Sequence, residues 1–127
     1  MDDREVGTVL DWHDALNEGD VEHLVELSSD DIEVGGPRGP SRGVQVLREW
    51  VERANIRLEP RQVFRRGQTV VVEQDALWRS PDTGEVIGSE VVASVFVIQS
   101  GRVVSVHRHP DLATALNAAG LGEADRV

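Results

Sequence analysis

Two hydrophobic periods divide the chain. Up to about residue 54 apolar positions recur every three to four residues, and from Ile56 onward they recur every second residue. Val6, Val9, Leu10, His13 and Leu16 follow i, i+3, i+4, i+7 spacing, which predicts a helix of about four turns. Gly19 ends it, and Asp20 is placed to cap a short second helix carrying Val21, Leu24, Val25 and Leu27. Ser28-Ser29-Asp30-Asp31 breaks that helix, and Ile32-Glu33-Val34 predicts a short strand. The stretch Gly35 to Pro40 reads as a loop. Ser41 is expected to cap a third helix, buried along Val44, Leu47, Trp50, Val51 and Ala54.

The second period predicts strands at Ile56–Arg65, Thr69–Arg79, Glu85–Gln99 and Arg102–His109. RGQ, SPDTG and SG separate them, and turns this short make an antiparallel meander. A last helix at Leu112–Ala119 is expected, capped by Asp111 and stopped by Gly120. The fold class is therefore α+β in one domain spanning residues 1–127: a curved antiparallel sheet packed on three N-terminal helices, with a short C-terminal helix.

Strand parity selects the positions that face the helices. On Thr69–Arg79 the apolar set is Val70, Val72, Ala76 and Trp78, with Gln74 the one polar member. On the last strand Val104, Val106 and Arg108 are taken as the inward set, which puts a guanidinium at the inner end of the strand. An unpaired buried guanidinium is costly, so Arg108 calls for a partner or a ligand anion. On the strand between them both sets are apolar. Val91 and Ala93 are read as inward, and Glu90, Val92 and Phe96 as outward, an order that a bulge near Gly88 would reverse. A strand apolar on both faces needs cover on both. With the helices on one face, a second copy of the chain is the expected cover, giving a homodimer through the outer sheet face.

Charge and composition remove whole classes of function. Thirteen basic against twenty-three acidic residues give a formal net charge of −10, which disfavours nucleic acid and anionic membrane surfaces. The run Arg53, Arg57, Arg61, Arg65, Arg66 lacks interleaved aromatics and reads as a solvated strand edge. There is no cysteine, hence no disulfide, thiolate ligand or cysteine nucleophile. No apolar run approaches a membrane span and no secretory signal opens the chain, so a cytoplasmic protein is expected. His107 and His109 form an H-x-H pair on the outward set without a third ligand, which favours a surface role over a metal. His13 lies on the apolar stripe of the first helix as a core histidine. No metal and no cofactor are called for.

The motifs Asn17-Glu18-Gly19-Asp20, Ser29-Asp30-Asp31, the Gly-Pro loop with Gly43, and Gly101-Arg102-Val103, taken in order, resemble the nuclear transport factor 2-like superfamily. The resemblance covers roughly residues 5–112 and implies a cone-shaped sheet around a pocket. That superfamily includes ketosteroid isomerases, polyketide cyclases and limonene epoxide hydrolases. Ketosteroid isomerases use a tyrosine on the first helix, an aspartate before the proline that follows the first strand, and a second acid on a later strand. The matching positions here are Trp12, Gly36 and Ala93, so the resemblance implies the fold without that chemistry.

Trp12, Trp50, Phe64, Gln74, Trp78, Ala93 and Arg108 are the candidate pocket residues, and no residue is assigned a catalytic role. The expected function is binding of a small, mainly apolar molecule, with Arg108 and Gln74 meeting its carboxylate or carbonyl. The alternative is an isomerase, cyclase or epoxide hydrolase-like enzyme using a relocated acid such as Glu90 or Asp31. A third possibility is a cone filled by its own side chains.

Overall fold

The computed structural model describes residues 4–36, 39–54, 56–80 and 82–127. Their elements follow in the order α1 (Arg4–Glu18), α2 (Val21–Glu26), β1 (Ser28–Gly36), β2 (Gly39–Arg42), α3 (Val44–Ala54), β3 (Ile56–Arg66), β4 (Thr69–Arg79), β5 (Val86–Gln99), β6 (Arg102–His109) and α4 (Leu112–Ala119). A 3₁₀ turn, Glu123–Asp125, ends the series. The six strands form one unclosed sheet in the order β2-β1-β6-β5-β4-β3. β3 to β6 make the predicted antiparallel meander, β1 joins β6 in parallel, and β2 folds back on β1. Asp20 accepts a hydrogen bond from the His23 N–H, and Asp111 accepts one from the Thr114 N–H, so both predicted caps form.

The Gly35–Pro40 segment differs from its expectation. Instead of a plain loop it holds the end of β1 and the start of β2, while Pro37 and Arg38 lie outside the described residues. Ser41 sits in β2 opposite Val34 and does not cap α3. Gly43, at φ +107°, makes the turn into that helix in a conformation L side chains rarely adopt. β1 also begins at Ser28, four residues before the apolar alternation. The Leu27 carbonyl accepts from the Val103 N–H at 2.8 Å, so β6 supplies the ladder that local sequence does not advertise.

Register assigns the two faces. Val72 pairs with Ser94 and Ser94 with Arg108, while Gln74 pairs with Val92. These residues share the face that α1 to α3 cover, where the main core joins Val9, Trp12, Leu16, Leu24, Ile32 and Leu47 to Val70, Val72, Ala76, Val92 and Phe96. The opposite row runs Phe64–Val71–Val95–His107–Gly35, with Ala93 one row further along. Phe64, Val71 and Ala93 pack there with Ala115, Leu112 and Leu116 of α4 and with Leu121.

This corrects two candidates, Phe64 and Ala93, both of which lie on the face away from α1 to α3. Phe64 is displaced by a β-bulge: Pro60 pairs with Gln74 and Gln62 with the next residue, Glu73, so Arg61 is extra and the parity of β3 changes there. Ala93 is displaced because β5 takes its phase from β4, whose inward Val72 and Gln74 oppose Ser94 and Val92. Val92 and Phe96 therefore face inward and Val91 outward. The outer apolar positions are covered in part by α4, which the two-copy argument had not considered. Val86, Ile87 and Val91 remain exposed, Ile87 most of all at 68%.

Candidate functional site

The inner face carries a polar chain inside an apolar shell. His13 Nδ1 lies 2.7 Å from the Val9 carbonyl oxygen, its Nε2 lies 2.8 Å from Gln74 Nε2, and the Ser94 hydroxyl donates to Gln74 Oε1 at 2.9 Å. A carbonyl only accepts, so Nδ1 bears the hydrogen and donates it. Burial pushes the His13 pKa down, against the opposing effect of the Val9 hydrogen bond, so the imidazole is neutral and Nε2 accepts from the Gln74 amide. All three side chains are buried, and each is hydrogen-bonded in turn. The lone inward polar residue of β4 thus has its explanation: it ties α1 to β5.

Arg108 stands at the end of this chain. It is half-buried, on the inner face, and register places it directly beside Ser94. Directly opposed residues have Cβ atoms about 4.5–5.5 Å apart. Among the described residues the Arg108 guanidinium has no hydrogen-bond or ion-pair partner. Within the basic run, by contrast, Arg57 meets Glu59, Arg61 meets Asp75 at 3.0 Å, Arg65 meets Glu5 at 3.4 Å and Arg66 meets Asp125 at 2.9 Å.

The tryptophans divide by depth. Trp12 is fully buried, its indole N–H donating to Ser28 Oγ at 3.2 Å. It stacks on Trp50 at 6.3 Å between ring centroids and meets Phe96 edge-on at 5.3 Å. The Trp12 N–H is therefore engaged within the fold, as Ser28 in turn donates to the Leu24 carbonyl. Trp50 and Trp78 are half-buried against the main core. The structure thus gathers Trp12, Trp50, Gln74, Trp78 and Arg108 on the helix-facing side, and sequence parity had missed Ser94 because β5 was read in the opposite phase.

Glu90 pairs with Ala76 and so belongs to the inner row, although its side chain is exposed. A separate cleft of about 250 Å³ opens between Leu16–Gly19 at the end of α1, Val51 of α3 and the start of β3 at Ile56 and Arg57. None of the seven candidates lines it. On the outer face His107 Nε2 lies 2.6 Å from Glu33, which also meets Arg42 at 3.2 Å; the His107 hydrogen bond holds the Glu33 carboxyl below its ordinary pKa. Among the described residues no cluster of three or more His, Asp and Glu converges as a metal site. No described helix is long and apolar enough to cross a membrane.

A helix-covered, open α+β sheet of this order defines the nuclear transport factor 2-like fold. The SnoaL-like domain model matches residues 9–106, and the chain belongs to that family. Solved structures share the fold at low identity. A nuclear transport factor 2-like protein of unknown function from Cytophaga hutchinsonii is 19% identical, with a TM-score of 0.71 over 84% of this chain and 89% of its own. TerC, co-crystallised with polyporic acid, is 18% identical, with a TM-score of 0.73 over 91% and 96%. A candidate polyketide cyclase from Sinorhizobium meliloti is 23% identical, with a TM-score of 0.69 over 81% and 94%. Among curated proteins none matches the chain.

Proposed function

We propose that the protein binds a small, mainly apolar molecule in a cone-shaped pocket on the helix-facing side of the sheet, with Arg108 holding its polar end. The observation that carries this reading is the half-buried Arg108 guanidinium beside Ser94, with no counter-charge among the described residues. A cation drawn partly out of water loses hydration, and a ligand carboxylate or carbonyl offsets that loss. Trp50 and Val34, both half-buried, offer apolar surface on the same side. The polyporic acid crystallised with TerC is consistent with an organic ligand in this fold. A catalytic reading, of the isomerase, cyclase or epoxide hydrolase type, draws on the inner-row position of Glu90. In that reading Glu90 moves a proton while Arg108 stabilises negative charge.

Thermal denaturation with 2-naphthoate and 2-naphthol tests the binding reading. Either compound should raise the Tm by mass action, and Arg108→Ala should remove most of the shift. The proposal is rejected if neither compound stabilises the protein, or if Arg108→Ala leaves the shift intact. The homodimer belongs to the same reading. A second copy would dock beside α4, against Val86, Ile87 and Val91, and a monomer in sedimentation at micromolar concentration would exclude it.

A further inference from the structure

We propose that Ser94 sets the ligand preference of this site by acting only as a hydrogen-bond acceptor, so that among groups able to meet Arg108 the site favours one that also carries a hydrogen to donate. The inference rests on the binding reading above and specifies which chemistry it selects.

Hydrogen-bond polarity runs in one direction from α1 to β5. The Val9 carbonyl can only accept, so His13 Nδ1 carries the proton and Nε2 is left with a lone pair. That lone pair takes an N–H from the Gln74 amide, which turns Gln74 Oε1 toward Ser94. Ser94 has one hydrogen, and it is committed to that oxygen at 2.9 Å. What remains of the hydroxyl is acceptor capacity. The backbone of α1 thus dictates, through two side chains, the polarity of a third group on β5.

Arg108 has the opposite character, since a guanidinium only donates. Ser94 is buried and Arg108 half-buried, and they are register partners on neighbouring strands, so a group that reaches past Arg108 into the core would meet an acceptor next to a cationic donor. The matching ligand group gives a hydrogen and receives one at nearly the same point. A phenolic or enolic hydroxyl does this with a single oxygen, and a primary carboxamide does it with adjacent atoms. A methyl ether meets Arg108 but has nothing to give Ser94. A carboxylate gains the charge of Arg108 but sets its second oxygen against the Ser94 lone pairs.

Equilibrium dialysis with 2-naphthol and its methyl ether, 2-methoxynaphthalene, separates the two contacts. The wild-type protein should favour the naphthol by about fivefold or more, the equivalent of roughly one neutral hydrogen bond. Ser94→Ala should abolish or invert that ratio, because the ether loses less water on entering the site. Gln74→Met removes no ligand contact but frees the Ser94 hydrogen, and it should also lower the ratio, with folding checked by circular dichroism. Arg108→Ala should weaken both compounds. If both bind, both depend on Arg108, and Ser94→Ala leaves the ratio unchanged, the role of Ser94 is refuted while the binding reading stands. If neither binds, or Arg108→Ala changes nothing, the role of Ser94 is overturned, and the binding reading falls with it if 2-naphthoate also fails to stabilise the protein or does so independently of Arg108.

Discussion

Replacing Gln74 by leucine cuts the only polar tie between α1 and β5 among the described side chains at that depth, and the structure sets the size of the effect. Gln74→Leu leaves the Ser94 hydroxyl and His13 Nε2 without partners, both in buried side chains. An unsatisfied buried group costs about 1–3 kcal/mol, and the added apolar surface returns part of that. A net loss of about 2–4 kcal/mol follows, which for a chain of this size lowers the Tm by roughly 5–15 °C. Urea denaturation of Gln74→Leu, Ser94→Ala and the double variant measures it. Ser94→Ala also deletes one of the groups that Gln74→Leu orphans, so the double variant should cost less than the sum of the singles by about 1 kcal/mol or more. Strict additivity, or a Gln74→Leu variant within about 0.5 kcal/mol of wild type, refutes the relay.

His13 gives a second test, through pH. Burial lowers its folded-state pKa below the ordinary value of about 6.5, so the unfolded chain takes up a proton first as the solution is acidified. The stabilisation from neutral His13 is complete above pH 6.5 or so and is lost as pH falls from there toward the folded pKa. An NMR titration showing His13 with an ordinary midpoint would contradict this. A third test concerns Gly35, where an added Cβ would collide with His107 Nδ1. Gly35→Ala should force the His107 ring aside at a cost of about 0.5–1.5 kcal/mol, and the same change in a His107→Ala background should be nearly neutral. Phe64→Ala should lose about 3–5 kcal/mol by opening the core beneath α4; a loss below about 1 kcal/mol would mean that α4 does not seal that face. Finally, the Val127 N–H bonds the Val63 carbonyl and Arg66 grips Asp125, so the C-terminal residues shield the edge of β3. Deleting residues 122–127 should raise self-association in light scattering through the exposed edge.

The parts of the fold legible in the sequence were those set by local physics. The change from a period of 3.6 to a period of 2, the caps at Asp20 and Asp111, and the short turns of the meander need no distant partner. The inward position of Gln74 and Arg108 is legible too, because a polar residue on an apolar row stands out whatever it contacts. The rest depends on partners far along the chain. β5 is apolar on both faces, so its phase comes from β4 and not from its own pattern, and reading it alone sent Ala93 inward and concealed Ser94. β2 and the start of β1 are polar segments held by the backbones of β1 and β6. His13 was recognised as a core histidine, but its partner lies 61 residues away, beyond any local signal.

The bulge at Arg61 leaves β3 with a residue it could lose. Pro60 and Gln62 already oppose consecutive residues of β4, so a chain lacking Arg61 would keep Val63 inward and Phe64 outward without a shift in pairing. What it would surrender, beyond the exposed ion pairs of Arg61 with Asp75 and Glu73, is the extra bend and twist that a bulge imparts to its strand. Phase and curvature are usually inseparable in a sheet, because most deletions disturb both. In this strand a one-codon deletion divides them, and the unfolding free energy of such a variant would report how far packing against the helices depends on the sheet's bend.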